Sequence, residues 1–357
     1  MEIKVNKTDP GQLRPKPMDE SSIPFGTIFS DHMFLMDYES EKGWSNARIE
    51  PYGAIAIDPA AIAIHYAQEI FEGLKVYKGK KGALFLFRAR DNFKRLNRSA
   101  KRLCMPELDP EWALKALKDL ALLDQDWVPS TPGTSLYVRP TMIATEPHLG
   151  VRPSKDYLFY IITGPVGAYY KGGLTPIKIY VEDFYVRAVP GGTGDVKASG
   201  NYAASLLAGE EAKKNGFDQV LWLDAIEHLY VEEVGAMNMF FVIGDEVITG
   251  SLTGSILPGI TRDTVIQLLK EWGISVSERS LSILEIIDAS KQGLLTEAFG
   301  AGTAAVISPV GQLSYKGEDY VIGDGKKGEL ALKLYNEIVA IQYGEKPDAH
   351  GWVERIS

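Results

Sequence analysis

The chain has 357 residues, of which 45% are hydrophobic and 24% are charged. This length suggests two domains at roughly 150 residues per domain, and the composition is that of an ordinary soluble globular protein, which excludes disordered, collagen-like and coiled-coil chains. The 38 lysine and arginine residues against 47 aspartate and glutamate residues give a net charge of -9. This charge argues against a general binder of nucleic acid or of anionic membranes.

Cysteine content and the amino-terminal segment bear on the compartment. Cys104 is the single cysteine of the sequence, so no disulfide forms within the chain, and no Cys/His spacing indicates zinc or another metal. The first residues are polar and proline-bearing rather than apolar, and no apolar run approaches the ~18 residues of a membrane helix. We therefore expect a cytoplasmic protein with no metal, no membrane partner and no nucleic-acid partner.

The amino-terminal half predicts an α+β domain that follows an extended arm. Residues 1–24 form the arm, because they contain four prolines and little periodicity. Strands and a short helix follow, and the segment DNFKRLNRSAKRLCM then predicts a helix that is capped by Asp91 and basic on its outer face. A second helix and two strands complete the small domain over 25–163, and the glycine- and proline-rich segment 164–176 predicts the interdomain loop.

Residues 177–357 predict a larger carboxy-terminal domain. The segment KIYVEDFYVRAV predicts a strand, the loop PGGTGDVKASG follows it, and NYAASLLAGEEAKKNG predicts one helix that ends at Gly216. A hairpin is predicted around the Gly-Asp turn of HLYVEEVGAMNMFFVIGDEVITG, and an amphipathic helix ends at Gly273. Ser282 and Glu285 make a capping-box pair for a helix through Lys291.

Lys197 lies in a glycine-rich loop immediately before a predicted helix, rather than on a solvated helix face. A lysine near apolar groups or a second cation has a lowered amine pKa, which is the condition for forming a Schiff base with a carbonyl compound. Most lysines are merely solvated. The loop therefore makes Lys197 a candidate nucleophile, and the solvated interpretation stays open.

Two glutamates stand in the apolar segment LYVEEVGAMNMFF. Strand alternation predicts that Glu232 and Glu233 point to opposite faces, so that one of them points inward. A buried carboxylate must be paired or neutral, which implies a cationic or hydrogen-bonding partner. An ordinary structural salt bridge explains this pattern equally well.

Two features predict anion binding. Arg95 lies near the start of its helix, and the segment from Thr253 to Ile256 leads into the helix GITRDTVI, whose backbone N–H groups favour phosphate. A basic side chain in a first helical turn opposes the helix dipole unless an anion is bound there. From the residues alone, the simpler interpretation of Arg95 is that it belongs to the solvated basic face of its helix.

Several catalytic motifs are absent from the sequence, which contains no GxxxxGK[ST] loop, no HExxH and no GxSxG. The string from Gly300 to Ala305 matches GxGxxA, but a dinucleotide site needs a helix next. The β-branched residues that follow, interrupted by Pro309, predict a strand instead. We expect a tight turn between strands at this string.

Many segments, in order along most of the chain, resemble the branched-chain aminotransferases. They are FGTIFSDHMFLMDY, IFEGLKVYKG, LFRARDNFKRLNRSAKRLCMP, GTSLYVRP, GPVGAYY, GGTGDVKASGNY, QVLWLD, EVGAMNMF, ILPGITRD and FGAGTAAVISPV. The resemblance implies an α/β (α+β) fold of two domains, that of the fold type IV pyridoxal-phosphate enzymes and similar to D-amino acid aminotransferase. The longer amino-terminal arm resembles the larger subclass of the family.

The resemblance also implies the cofactor, pyridoxal 5'-phosphate, and its contacts. Lys197 would form the Schiff base, Tyr202 would meet the ring hydroxyl oxygen, and Glu233 would pair with the pyridine nitrogen. The phosphate would be bound by Arg95, the backbone N–H groups of Ser255 and Ile256, and the Thr303 hydroxyl, while Leu252 packs on the ring. This implication replaces the solvated interpretation of Arg95.

For the substrate, the resemblance implies that the Tyr137 hydroxyl and the Thr303–Ala304 turn hold the α-carboxylate, and that Arg139 accepts the distal carboxylate of glutamate. The apolar wall matches Phe25, Tyr66, Phe71 and Tyr169. Leu149 and Val151 match residues that come from a neighbouring subunit, so a homodimer with a shared active site is implied.

Two positions depart from the mammalian members of the family. Ala236 stands where those enzymes have threonine, which leaves the ranking of leucine, isoleucine and valine open. Ala305 and Ser308 stand where they have a redox CxxC pair, so we expect no thiol switch.

The implied activity is a reversible ping-pong transamination of leucine, isoleucine or valine with 2-oxoglutarate, at the last step of their synthesis or the first step of their degradation. A D-amino acid aminotransferase or an aminodeoxychorismate lyase is the alternative within the fold type, because both share the lysine, the glutamate and the phosphate arginine. A nicotinamide dehydrogenase would rest on the GxGxxA string alone. A non-catalytic binding module would make the lysine and the glutamate coincidental.

Overall fold

The computed structural model describes residues 1–167 and 174–357. In these ranges the α-helices are α1 (Ile62–Tyr66), α2 (Ala89–Arg102), α3 (Pro110–Leu123), α4 (Ser199–Ala203), α5 (Leu206–Lys214), α6 (Ile260–Glu271), α7 (Ile283–Lys291) and α8 (Glu329–Gln342). Short 3₁₀ helices span Pro10–Gln12, Glu20–Ser22, Lys80–Gly82 and Gln125–Trp127. Within the described ranges, no helix has both the length and the apolar character needed to cross a membrane.

The strands lie between these helices. In chain order they are β1 (Lys4–Val5), β2 (His32–Glu39), β3 (Gly43–Pro51), β4 (Glu69–Phe71), β5 (Leu74–Lys78), β6 (Leu84–Phe87), β7 (Ser135–Ala144), β8 (Asp156–Val166), β9 (Ile177–Glu182), β10 (Gln219–Leu223), β11 (Val231–Val234), β12 (Met237–Ile243), β13 (Glu246–Thr249), β14 (Ser275–Glu278), β15 (Leu295–Gly302), β16 (Val306–Tyr315), β17 (Glu318–Val321) and β18 (Val353–Arg355).

The chain divides into two compact units. The first comprises Met1–Lys171, Lys197–Ser199 and Ala340–Ser357, and the second comprises Gly172–Val196 and Gly200–Val339. The sequence predicted a single crossing, with all of 177–357 in the second domain. The structure differs because β18 pairs with β6, so the carboxy terminus adds a strand to the first unit.

The first unit is built on one sheet. Of the strands in the described residues, nine form this sheet in the order β1-β3-β2-β8-β7-β5-β6-β18, with β4 paired to β7. The arm is therefore not wholly separate, since β1 pairs in parallel with β3. Helices α2 and α3 bury their apolar faces in one hydrophobic core with the sheet, and Phe93, Leu96 and Ala100 of α2 lie in this core as their spacing predicted.

Helix α2 begins earlier than the sequence predicted. Its N-cap is Arg88, in a left-handed conformation with φ 52°, and the first helical residue is Ala89. The Asp91 carboxylate accepts a hydrogen bond of 2.7 Å from Arg88 Nε within the first turn. The prediction of Asp91 as the N-cap was wrong, because the chain turns into the helix at Arg88.

The second unit contains a sheet that closes on itself. Nine strands among the described residues follow the order β11-β10-β9-β16-β15-β12-β13-β14, with β17 on β16, and β11 also pairs with β12. This last pairing joins six of the strands into a ring. Strand β9 ends at Glu182, earlier than predicted, and the helix predicted after Lys197 is divided into α4 and α5.

The string from Gly300 to Ala305 forms a tight turn, as the sequence predicted. Gly302 of β15 pairs with Val306 of β16, so a strand follows the glycines and no helix does. This geometry excludes the dinucleotide interpretation.

The cap of helix α7 is confirmed, and it leads to a stability prediction. Ser282 Oγ accepts a hydrogen bond of 3.0 Å from the Glu285 N–H group. Replacing Ser282 by alanine removes the partner of that N–H group, so we expect Ser282→Ala to lower the free energy of unfolding by about 1 kcal/mol. Urea denaturation measures the change, and Ser275→Ala on an exposed strand position should stay within about 0.5 kcal/mol of the parent.

Candidate active site

Lys197 is anchored within the first unit by its backbone. Its N–H donates to Ser99 Oγ at 3.0 Å, and its carbonyl accepts from the Phe71 N–H at 3.1 Å. These bonds hold Lys197 between α2 and β4. The Lys197 Nζ lies 4.9 Å from the centroid of the Phe71 ring, so the amine stands on an apolar surface.

A buried ion pair stands beside this lysine. Glu72 is fully buried, and its two carboxylate oxygens accept from Arg95 Nε at 2.8 Å and from Arg95 Nη2 at 2.9 Å. Asn92 Nδ2 donates to the same carboxylate at 2.8 Å. Burial alone would raise the pKa of Glu72, but the charges of Arg95 and Lys197 and the hydrogen bonds hold that pKa below its ordinary value. Glu72 therefore carries a negative charge at neutral pH.

This ion pair decides how Arg95 is interpreted. Arg95 is 9% exposed, whereas the other basic residues of α2 are exposed: Arg90, Lys94, Arg98, Lys101 and Arg102. The solvated interpretation of Arg95 is wrong, because the bidentate ion pair with Glu72 holds the Arg95 guanidinium in the interior of the first unit. Sequence reasoning missed Glu72, although a charged residue in the apolar strand segment IFEGLKVY was the signal for a buried partner.

A cavity of about 260 Å³ in the first unit brings together three predicted substrate residues. Phe25, Tyr137 and Arg139 line it. Arg139 Nη2 donates to the Tyr137 hydroxyl at 3.0 Å, and the Phe25 ring meets the Tyr137 ring edge-on, with centroids 4.9 Å apart. Arg139 Nε is buried without a hydrogen-bond partner among the described residues. The cavity thus offers a hydroxyl and a guanidinium within an apolar wall.

The glycine of the segment FEGL leaves room for the Tyr137 hydroxyl. A Cβ atom on Gly73 would lie 2.2 Å from Tyr137 Oη. The Arg139 guanidinium also lies 4.6 Å from the centroid of the Phe71 ring, which is the ring that Lys197 contacts. Phe71 therefore links the candidate nucleophile to the candidate carboxylate-binding residues.

The remaining residues predicted from the first part of the chain lie at its surface. Leu149 and Val151 are 64% and 84% exposed in the single chain. The Tyr66 hydroxyl donates a hydrogen bond to the Leu149 carbonyl. The expectation for Tyr169 falls outside the described residues.

The second unit presents unpaired backbone N–H groups at the predicted phosphate turn. Ser255 is fully buried and Ile256 nearly so, and neither N–H group donates a hydrogen bond to any residue that the structure describes. Buried N–H groups without a partner are rare in proteins, and two consecutive ones form a site for an anion. The turn therefore fits the phosphate group of the implied cofactor.

Both glutamates of β11 are buried, so the prediction that one of them points inward is confirmed and the second is buried as well. Glu233 Oε1 accepts from the Leu257 N–H at 2.7 Å, and its Oε2 lies 3.2 Å from Arg187 Nε. Glu232 accepts a hydrogen bond from the Ser255 hydroxyl. The loop that contains Ser255 and Leu257 contacts both carboxyl groups, which accounts for the burial of the second.

Arg187 was not recognised from the sequence, although a lone arginine in the apolar segment DFYVRAV was its signal. Its guanidinium stabilises the negative charge of Glu233, and its Nη1 donates to the Ser255 carbonyl at 3.1 Å. Each carboxylate oxygen has two lone pairs, so Glu233 retains capacity for a further donor such as a pyridinium N–H. This arrangement fits the role that the resemblance implies for Glu233.

The other residues predicted for this part of the site also belong to the second unit. Tyr202 lies on α4, and Leu252 lies in the loop after β13, where it is 45% exposed. Ala236 lies in the turn between β11 and β12, and Thr303–Ala304 lie in the turn between β15 and β16. No group of His, Cys, Asp and Glu side chains in residues 1–167 and 174–357 is arranged to hold a metal ion.

Comparison with known proteins identifies the family. The model of the family Amino-transferase class IV matches residues 69–313. Branched-chain-amino-acid aminotransferase 2 of Bacillus subtilis (strain 168) is 54% identical over 344 residues, which cover 96% of this chain and 94% of the relative.

Solved structures agree with this sequence comparison. The branched-chain amino acid aminotransferase of Escherichia coli has a TM-score of 0.73 at 28% identity, covering 91% of this chain and 99% of its own. A second solved branched-chain amino acid aminotransferase, complexed with N-(5'-phosphopyridoxyl)-L-glutamate, has a TM-score of 0.73 at 26% identity and covers 91% and 98%. The chain therefore belongs to the class IV aminotransferases and, among them, to the branched-chain-amino-acid aminotransferase family.

Proposed function

We propose that this enzyme transfers the α-amino group of leucine, isoleucine or valine reversibly to 2-oxoglutarate, with pyridoxal 5'-phosphate as its cofactor. The observation that carries the proposal is the position of Lys197, whose amine lies on Phe71 within the electrostatic reach of the buried Glu72 carboxylate. The single cysteine, Cys104, favours a reducing compartment, and we place the enzyme in the cytoplasm.

Pyridoxal phosphate, when bound, supplies a reactive carbonyl carbon and an electron-withdrawing ring that stabilises negative charge on the substrate α-carbon. In the first unit, the Lys197 amine would hold the cofactor covalently and would serve as the general base for the proton of the substrate α-carbon. Arg95 would bind the phosphate with its guanidinium held in orientation by Glu72.

Residues of the second unit would take the other roles. The Ser255 and Ile256 N–H groups and the Thr303 hydroxyl would donate to the phosphate, and the charged Glu233 would accept from the ring nitrogen. Tyr202 would hydrogen-bond the ring hydroxyl oxygen and Leu252 would pack on the ring. The unpaired N–H groups of the turn are the observation that supports this assignment.

The substrate would be bound by groups that accommodate two kinds of side chain. The Tyr137 hydroxyl and the Thr303–Ala304 turn would hold the α-carboxylate, and Arg139 would bind the distal carboxylate of glutamate. An apolar wall for leucine would come from Phe25, Tyr66, Phe71 and Tyr169. The glutamate adduct bound by the second solved enzyme supports glutamate as one partner in the exchange.

A homodimer is part of the proposal. The observation that supports it is that Leu149 and Val151, two residues apart, are both exposed apolar side chains in the single chain. We propose that these two residues reach the active site of a second copy. Leu149 is held in place by the hydrogen bond that the Tyr66 hydroxyl donates to its carbonyl oxygen.

The test uses the cofactor absorbance of the purified protein in three steps. Leucine added without any 2-oxo acid should bleach the yellow band, because the amino group moves to the cofactor, and 2-oxoglutarate should restore it. A band that leucine leaves unchanged but a D-amino acid bleaches would favour the D-amino acid aminotransferase alternative. The absence of a band after pyridoxal phosphate is supplied would refute the proposal.

A further inference from the structure

Strand β11 has two adjacent buried carboxyl groups, and the Arg187 guanidinium contacts one of them. Glu232 is 5% exposed and Glu233 is 1% exposed. Arg187 contacts Glu233 at 3.2 Å, and the other oxygen of Glu233 takes the Leu257 N–H. One guanidinium can neutralise one carboxylate, and a second buried carboxylate without a pair is strongly disfavoured.

The surroundings of Glu232 favour its protonated, neutral form. One of its oxygens shares a hydrogen bond with the Ser255 hydroxyl, and Oε2 has no hydrogen-bond partner in the described part of the chain. The charged groups that face it are Glu233, Arg187 and Asp224. Burial, with the two neighbouring carboxylates, raises the pKa of Glu232 to about 7, against the opposing effects of Ser255 and Arg187.

Asp224 does not compete for this proton. Its carboxylate accepts hydrogen bonds from four backbone N–H groups, those of Ile226, Glu227, Leu229 and Tyr230. Burial opposes these bonds, but together they lower the pKa of Asp224. Its charge is therefore present at neutral pH and adds to the cost of ionising Glu232.

Glu232 is coupled to the phosphate turn through Ser255. The Ser255 hydroxyl is bonded to Glu232, while the N–H group of the same residue is one of the two unpaired donors of the turn. A charge on Glu232 would thus lie next to the residue whose N–H group is proposed to bind the phosphate. Two like charges close together in a buried site repel each other.

We propose that Glu232 is a positioning residue for the phosphate turn: as a neutral acid it orients Ser255, and when it ionises it weakens phosphate binding. The inference rests on the proposed function, which supplies the phosphate ligand. Binding of the phosphate then favours the protonated carboxyl, so the protein takes up a proton as the cofactor binds. Affinity for the cofactor falls as the pH rises through the range in which Glu232 ionises.

The test compares dissociation constants of pyridoxal 5'-phosphate for the apoprotein between about pH 6 and pH 8.5. Glu232→Gln keeps an oxygen for Ser255 and cannot ionise. We expect it to match the parent within about twofold at pH 6 and to bind about tenfold more tightly than the parent at pH 8.5. Glu210→Gln, at an exposed position of α5, should follow the parent at every pH.

Glu232→Met separates the charge from the hydrogen bond. It should also lose the extra pH dependence, but it should bind more weakly than Glu232→Gln at every pH, because Ser255 has lost the oxygen that orients its hydroxyl. Calorimetry at about pH 7.5 in two buffers of different ionisation enthalpy should show more proton uptake by the parent than by Glu232→Gln. A Glu232→Gln variant with the parental pH profile and the parental proton uptake would overturn the inference.

Inorganic phosphate as a second probe separates this inference from the proposed function. If phosphate binds the apoprotein with a pH profile that depends on Glu232, while leucine never bleaches the cofactor band, the inference stands and the transaminase proposal fails. If leucine bleaches the band but phosphate and pyridoxal phosphate bind with the same pH profile in parent and Glu232→Gln, the inference fails alone. Failure of both ligands to bind the parent refutes both proposals.

Discussion

Lys197→Ala is expected to reduce transamination by at least about a thousandfold, which makes it the largest effect on activity that we predict. The proposed lysine acts twice, as the amine that bonds to the cofactor and as the base for the substrate α-proton, and alanine removes both functions. The side chain is half-buried on the Phe71 ring, and its backbone bonds to Ser99 and Phe71 do not depend on the amine. The fold should therefore survive the change.

Leucine-dependent formation of the 2-oxo acid measures this effect, and the visible spectrum shows whether the cofactor band is lost with it. Lys213→Ala, on an exposed position of α5, is the matched control and should keep both the band and the rate. Turnover near that of the parent in Lys197→Ala would rule out this lysine as the catalytic amine.

Arg95→Met is expected to produce the largest loss of stability, about 3–5 kcal/mol of unfolding free energy. Methionine has a similar volume but no charge, so Glu72 would remain as a buried carboxylate without its bidentate partner. Asn92 alone cannot replace two charge-assisted bonds. Denaturant unfolding of the apoprotein measures this loss without reference to the cofactor.

The double variant Arg95→Met with Glu72→Met tests whether the loss comes from the stranded charge. Replacing both partners of a buried ion pair by apolar residues is often nearly neutral, so we expect the double variant to recover most of the stability. Cofactor affinity should not recover with it, because the guanidinium proposed to bind the phosphate is absent from both variants. A double variant that is as unstable as Arg95→Met would show that packing, rather than charge, explains the loss.

The ion pair also predicts how stability varies with pH. The pKa of Glu72 in the folded protein lies below its ordinary value of 4.5. A pKa that is lower in the folded than in the unfolded protein stabilises the folded state at pH values above the unfolded-state pKa. This stabilisation disappears as the pH falls through the folded-state pKa. In Arg95→Met the pKa of Glu72 should instead rise, so the stability of that variant should improve on mild acidification, which unfolding curves at several pH values can detect.

Local features of this protein could be predicted from the sequence because each depends on residues that are close along the chain. The Ser282 cap is satisfied by an N–H group three residues away, and the turn between β15 and β16 follows from the glycines and β-branched residues of one short segment. The family resemblance rests on similar short strings, and the comparisons bear it out. Lys197 was singled out for the same reason, from its glycine-rich loop.

Only the tertiary structure decided which polar groups are buried and which partners neutralise them. Glu72 lies 23 residues before its partner Arg95, and Glu232 lies 23 residues before its partner Ser255. Hydrophobic periodicity indicates which face of a helix or strand is buried, but it does not identify the distant group that packs on that face. Alternation predicted one inward glutamate on β11, yet a loop from elsewhere in the unit contacts both and buries the second. The return of β18 to the first unit likewise depends on β6, more than 250 residues away in the sequence. The sequence by itself therefore determined the family, the local elements and the candidate lysine. The charge balance around the site was decided by contacts between distant segments, because the burial and pairing of a charged group depend on which residues surround it in the folded protein.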